Sequence, residues 1–246
     1  MVPLHAGHRG LQIVSRVEGH ARERTARCAV VTFAAVIVAR VPRANRLRRL
    51  PWKARYLWGE QLASRWRRWL TLATNLHADV RIDRNVRLGR GFRLYIPEGG
   101  TFIVHAGCDF RRDFVCEISA GGYVELGPGT IFTGSALIQI TTRLVTGVRT
   151  VFGQATLIAD GNHRWRDPDV HLLDQGYDFT PIDIGDGAVS MSKVTILAPV
   201  GARALIGAHS LVTKPVPAYT LAAGSPARVL EYFGRPEDRP ADLDVP

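Results

Sequence analysis

A six-residue rhythm constrains this chain more than any other feature, and it is cleanest in Phe152–His163, which reads F-G-Q-A-T-L-I-A-D-G-N-H. Phe152 and Ile158 stand six apart, Gly153 follows the first of them, and Thr156 falls four after it. The preceding step has the same shape in Thr146, Gly147 and Thr150. A period of six places one bulky and one small side chain per step on the same side of the backbone. A strand meander has period two and an amphipathic helix 3.6, whereas a short fixed repeat of this length points to a parallel β-helix. Asp160-Gly161-Asn162-His163 then ends the rhythm, and a long polar excursion follows. Chemistry is expected at that break.

The same period runs through most of 80–212. Val80, Val86 and Phe92 begin it, with Gly89 and Gly91 in turn-like positions. Extended runs are expected at Thr101–Val104, Phe114–Ile118 and Tyr123–Leu126. Leu126, Phe132 and Ile138 continue it with the small partners Thr130 and Ala136. A slip of two near Gln139 leads to Ile140, Thr146, Phe152 and Ile158. After the excursion at 164–181 the period resumes at Ile184, Ser190 and Ile196, with Ala188 and Val194, and resets at Val200 and Ile206, with Ala204 and Ser210. Glycine after the apolar residue is expected where the backbone turns tightly or needs positive φ. No single turn of such a coil can bury its own face, so stacking must supply the core. Each buried aliphatic side chain contributes about 1.5–3 kcal/mol.

Charge divides the chain. The formal net charge is +10, yet residues 1–75 hold 15 Lys and Arg against 3 Asp and Glu, while 76–246 hold 17 against 19. The basic surplus therefore belongs to an N-terminal segment, which argues against a nucleic-acid binder with its basic surface on the main fold. Cys28, Cys108 and Cys116 form neither a disulfide framework nor a C-x-x-C pair and read as buried thiols in a reducing compartment. No stretch has the roughly 18–20 apolar residues of a membrane span, and Cys28–Ala39, behind a long leader containing Glu18 and Glu23, makes a poor signal peptide. A cytoplasmic location follows as the expectation.

Three regions are expected: a basic, helical N-terminal segment at 1–78, the coil at 79–230, and a loose tail at 231–246. Residues 1–24 carry His5, His8 and His20 without metal-ligand spacing, and 25–41 could form a short buried helix. Within 52–73, Leu62, Trp66, Trp69, Leu70 and Ala73 share one helical face, with Arg65, Arg67 and Arg68 between them. Two readings stay open. The helix could lie on the inner face of an anionic membrane, or its stripe could pack on the open end of the coil while the arginines are solvated.

Three stretches carry a family resemblance. Phe152–His163 matches a repeat ending in Asp-x-Asn-His. Arg164–Gln175, R-W-R-D-P-D-V-H-L-L-D-Q, resembles a characteristic loop after that histidine. Ile206–Val229 runs through the C-terminal pattern Gly-Ser-Pro-Ala-Arg. Together they resemble the hexapeptide-repeat acyltransferases, in particular the branch of O-antigen and colanic-acid O-acetyltransferases beside the maltose and nodulation acetyltransferases. The resemblance covers about 80–230. It implies an all-β main domain, a left-handed parallel β-helix of triangular section, assembled as a homotrimer with the active site between neighbouring coils. It implies acetyl-coenzyme A as acyl donor without a metal, and a hydroxyl, usually of a saccharide or glycolipid, as acceptor.

By the same resemblance His163 stands at the catalytic base, Lys214 and Arg228 near the coenzyme phosphates, and Ala208 and Ser190 in the donor site. The chemistry suits these residue types. An imidazole with a reference pKa of about 6.5 can take a hydroxyl proton near neutral pH, help typically worth about 10²–10⁴-fold. A backbone N–H at a coil corner could bind the oxyanion. Asp160 could orient the imidazole or, like Asn162, be a turn residue bonding its own backbone. Trp165 and Asp167 are candidates for the acceptor cleft. Where related chains have Trp-Ile-Gly, this one has Val189-Ser190-Met191, and the step Ile196–Gly201 is two residues short. Those departures keep a non-catalytic scaffold open as an alternative, alongside N-acylation or acetylation of a xenobiotic. His105, His171 and His209 could suggest a zinc site, but their spacing does not give a paired-histidine set.

Overall fold

The computed structural model describes residues 47–241 and 243. His5, His8, His20, Cys28 and the helix expected at 25–41 lie outside them. The six-residue steps turn the chain through three faces in rotation. The first face is built from Asp79–Ile82, Thr101–Val104, Tyr123–Leu126, Arg143–Thr146 and Ile182–Ile184, all parallel. The second runs from Arg87–Leu88 through Asp109–Phe110, Ile131–Phe132, Val151–Phe152, Val189–Ser190 and Leu205–Ile206 to Thr220–Gly224, where Ala227–Tyr232 turns back antiparallel. The third holds Arg93–Tyr95, Val115–Ile118, Leu137–Ile140, Leu157–Ala159, Thr195–Ile196 and Leu211–Val212. Each strand pairs with the same face of the next coil, which makes the domain the parallel β-helix the repeats led us to expect, in the left-handed class that the resemblance implies.

Inward positions stack in columns. On the second face Phe110, Phe132 and Phe152 lie one above another, with ring centroids 5.5 and 4.6 Å apart and planes within 14° of parallel. The third face stacks Cys116, Ile138, Ile158, Ile196 and Val212, all buried. The Thr130 hydroxyl lies 3.1 Å from that of Thr146 and 2.9 Å from that of Thr150, so these buried polar groups satisfy one another. The slip near Gln139 is a change of coil length. Phe102 pairs with Val124, 22 residues on, Val124 with Leu144, 20 on, and Ile184 with Val200, only 16 on. The short step at Ile196–Gly201 trims a corner and leaves the ladder in register.

The glycines divide: Gly91, expected in a turn, does have positive φ, whereas those directly after an inward apolar residue act differently from the expectation. Gly127 and Gly153 do not have positive φ; a Cβ on them would come within 2.5 Å of Gly147 O and 2.2 Å of Met191 O. Their role is close approach between successive coils. Positive φ falls at corners, on glycines such as Gly91, Gly107, Gly129 and Gly187 and on non-glycine residues such as Arg149, Ala155, Lys193, Arg203 and His209.

The helix Gly59–Thr74 covers the first coil, but not with its apolar stripe. Arg87–Leu88 has no coil before it on its face, so its backbone groups would otherwise be unpaired. The Ser64 hydroxyl accepts the Leu88 N–H at 2.8 Å, and the Arg67 guanidinium donates to the Leu88 carbonyl at 2.8 Å. Leu72 packs on the core from the same side. Leu62, Trp66, Trp69 and Leu70 point away, which corrects the expectation that this stripe seals the coil; Arg67 is likewise not simply solvated.

Candidate active site

The coil breaks where the sequence rhythm does. After the buried Ile158 the backbone reaches Asp160, whose side chain turns under the coil rather than outward. Its Oδ1 accepts the Thr141 N–H at 3.0 Å, and its Oδ2 accepts the Thr142 N–H at 2.6 Å and the Thr142 hydroxyl at 2.7 Å. The carboxylate is thus spent on the corner of the preceding coil. Asp160 does not orient His163, and the backbone it binds is not its own, which corrects both expectations. Thr180 N–H closes on the Asp160 carbonyl at 2.8 Å, so the excursion leaves and re-enters the coil at one point.

Between those two residues the chain forms an arm. Gly161–His163 pairs antiparallel with Tyr177–Phe179, placing His163 opposite Tyr177 and Asn162 opposite Asp178. Gly161 lets the Phe179 ring lie across it, since a Cβ there would meet the ring at 2.9 Å. His163 is exposed, and its ring centroid lies 4.2 Å from that of Tyr177. Asn162 is exposed beside it. Farther out, the Gln175 amide donates to the carbonyls of Asp167 and Val170 at 2.9 and 2.8 Å and stiffens the arm. The Asp167 carboxylate accepts the Asp169 N–H at 3.0 Å in a local turn. Trp165 is 67% exposed, with the Arg166 guanidinium 5.3 Å from its ring centre. Tyr177 was not singled out from sequence; the alternation Tyr177-Asp178-Phe179 opposite Gly161-Asn162-His163 was the signal of a hairpin.

The other candidates divide by corner. Lys214 follows the third-face strand Leu211–Val212, two strands along from Leu157–Ala159, so it shares the third-to-first corner with the root of the arm. Ala208 and Arg228 stand at the second-to-third corner, because Ile206 pairs with Ala222 and Ala223 with Arg228. All three are exposed. Ser190 does not belong with them. It is 5% exposed, lies inward between Phe152 and Ile206, and places its hydroxyl 3.3 Å from that of Thr156. It is a core position of the second face, where the column of rings ends and a void of about 10 Å³ remains. A side chain so placed cannot touch a ligand outside the coil. The histidines weighed as zinc ligands are also apart: His105 contacts Glu125 at 2.7 Å, His171 accepts the Leu173 N–H, and His209 is a corner residue. Among the described residues no three His, Cys, Asp or Glu side chains group as a metal site.

No family model matches the chain. A "probable acetyltransferase" of Mycobacterium tuberculosis is 26% identical over 112 residues, 45% of this chain and 37% of that protein. Serine acetyltransferase 4 of Arabidopsis thaliana is 44% identical over 52 residues, 20% of this chain and 15% of that one. The chain thus spans well under half the length of either relative. Among solved structures, a hexapeptide-repeat acetyltransferase from Vibrio cholerae aligns at 24% identity with a TM-score of 0.47, over 54% of this chain and 74% of its own. By the three-faced coil that its own six-residue steps build, this chain is a hexapeptide-repeat β-helix protein.

Proposed function

We propose that the chain transfers an acyl group, acetyl in the first instance, from coenzyme A to a hydroxyl of a saccharide or glycolipid, with His163 as the general base. The observation that carries this reading is the placement of His163. Its imidazole stands exposed at the foot of a stiffened arm, where the coil opens, held against Tyr177 and engaged by no carboxylate among the described residues. In the reaction one ring nitrogen takes the proton of the acceptor hydroxyl as its oxygen attacks the thioester carbonyl. The tetrahedral oxyanion needs a donor, for which a backbone N–H at a coil corner is suited. Collapse forms the ester and expels the coenzyme thiolate, to which the imidazolium can return the proton.

The division of the candidates between two corners supports a site shared by subunits. One chain does not bring Ala208 and Arg228 to its own arm, whereas a neighbouring coil in a homotrimer could present that corner to His163. Exposed Lys214 and Arg228 offer charge to the coenzyme phosphates. Trp165 offers an aromatic face, and Asn162 a polar contact, to the acceptor. The arrangement calls for a cytoplasmic setting, where acyl-coenzyme A is available. Mass spectrometry of a glycan and glycolipid panel incubated with acetyl- and longer acyl-coenzyme A tests the reading. Acylated hydroxyls are expected. No product with any donor, together with no calorimetric heat on donor addition, would leave only the scaffold reading, while products acylated solely at amines would move the chain to N-acyl transfer.

A further inference from the structure

We infer that the outward face of the N-terminal helix is a docking surface for an anionic lipid bilayer. The helix runs from Leu50 to Thr74, through an α turn, a π segment at Ala54–Trp58 and Gly59–Thr74. At 3.6 residues per turn, Ser64, Arg67 and Thr71 fall on the side that touches the coil, and Leu62, Trp66, Trp69 and Ala73 fall opposite. The hydrogen bonds from Ser64 and Arg67 to Leu88 fix that rotation. The stripe is therefore presented by the fold, not left over from loose packing. Leu62 is 66% exposed, Trp66 62% and Trp69 56%, with Trp52, Tyr56 and Trp58 exposed farther back. Trp66 and Trp69 stack with ring centroids 4.9 Å apart, forming one broad indole surface.

The charges select the occupant. Lys53, Arg55, Arg65, Arg67 and Arg68 accompany one acid, Glu60, which is paired with Arg67. Lys53, Arg55 and Arg65 are exposed. An oily stripe lined with tryptophans and flanked by cations suits the boundary between acyl chains and anionic headgroups. A buried protein partner would leave those cations to be desolvated. No helix of the described residues is long and apolar enough to cross a membrane, so this one would lie in the interface plane. The arm bearing His163 leaves the fourth coil, and strands are about 4.8 Å apart, so it stands only some 15 Å along the coil from the docked end. That reach suits an acceptor carried on a lipid, but the inference rests on the helix alone and not on the acyl-transfer reading.

The test is flotation of the full chain with vesicles of phosphatidylcholine alone and of phosphatidylcholine with phosphatidylglycerol, at low and high salt. The comparison protein is a Leu62→Glu, Trp66→Glu double variant, with fold checked by circular dichroism and subunit number by light scattering. Binding to the anionic vesicles is expected, weakened by salt, with at least about a tenfold loss in the variant and no change in fold or subunit number. Three results would overturn the inference: no flotation on anionic vesicles, flotation equal in the variant, or a variant that loses subunits, since the stripe would then cover a second copy of the chain. Because binding is read without turnover, it can fail while acyl transfer stands, and the reverse.

Discussion

Asp160 Oδ2 accepts the backbone N–H of Thr142 at 2.6 Å, tying the last residue before the arm to the corner of the coil beneath it. The same oxygen takes the Thr142 hydroxyl, and the other takes the Thr141 N–H. An amide here must turn an NH₂ donor toward groups that are themselves donors. Asp160→Asn should therefore destabilise the coil by about 1–3 kcal/mol, a fall in melting temperature of several degrees by calorimetry. Activity should fall only with the folded fraction, since this carboxylate does not touch His163.

The phenylalanine column carries much of the packing in the early coils. Phe132 is fully buried between Phe110 and Phe152 and meets Phe114 edge-on at 4.9 Å. Phe132→Ala should cost about 3–5 kcal/mol and Phe132→Leu markedly less, read from denaturant midpoints. Equal losses would mean that the ring contacts, rather than the volume filled, carry the stabilisation.

On the outer side of the first face the Tyr123 hydroxyl donates to Glu125, and His105 lies 2.7 Å from the same carboxyl group. Those contacts, Tyr123 first and His105 second, hold the Glu125 carboxyl below its usual range, and the hydrogen bond to Glu125 pushes the Tyr123 phenol up. A depressed carboxyl contributes stability above its unfolded pKa, about 4.3, and loses it as pH falls through the folded value. The group is part-exposed, so the effect is a few tenths of a kcal/mol. Wild type and Glu125→Gln should differ slightly in melting temperature near neutral pH and converge below pH of about 4; a gap that widened on acidification would contradict this origin.

Cys108 and Cys116 are free and buried, and burial raises both thiols above the ordinary range. Neither should react with a thiol reagent in the native protein at pH of about 8, where an exposed cysteine is partly thiolate. Both should react on unfolding, as peptide mapping of the labelled sites would show.

The period-six pattern was legible because each step carries the chain round one face: Leu126, Phe132 and Ile138 are buried on the first, second and third faces in turn. Changes of coil length showed in the sequence only as the slip near Gln139 and the short step at Ile196–Gly201; which residues they bring opposite one another appears only in the pairing register. Ser190 shows the cost of reading a position by analogy; its place in the repeat, six after Ile184 and six before Ile196, marks it as inward. The partner of Asp160 was hidden because Thr141 and Thr142 are neighbours only through the stacking of coils. The stripe of the helix was visible, but not its direction, since Ser64 and Arg67 matter only once the unpaired Leu88 backbone is placed. The exposure of His163 follows from its position in the hairpin, and its contact with the Tyr177 ring only from the pairing register.

Release of coenzyme A thiol from acetyl-coenzyme A, followed with acceptor present for wild type and His163→Ala, tests the central claim most directly. The account predicts a loss of about 10²–10⁴-fold in turnover, with the melting temperature and subunit number of the variant unchanged. Turnover equal to wild type would show that this imidazole takes no part in the reaction.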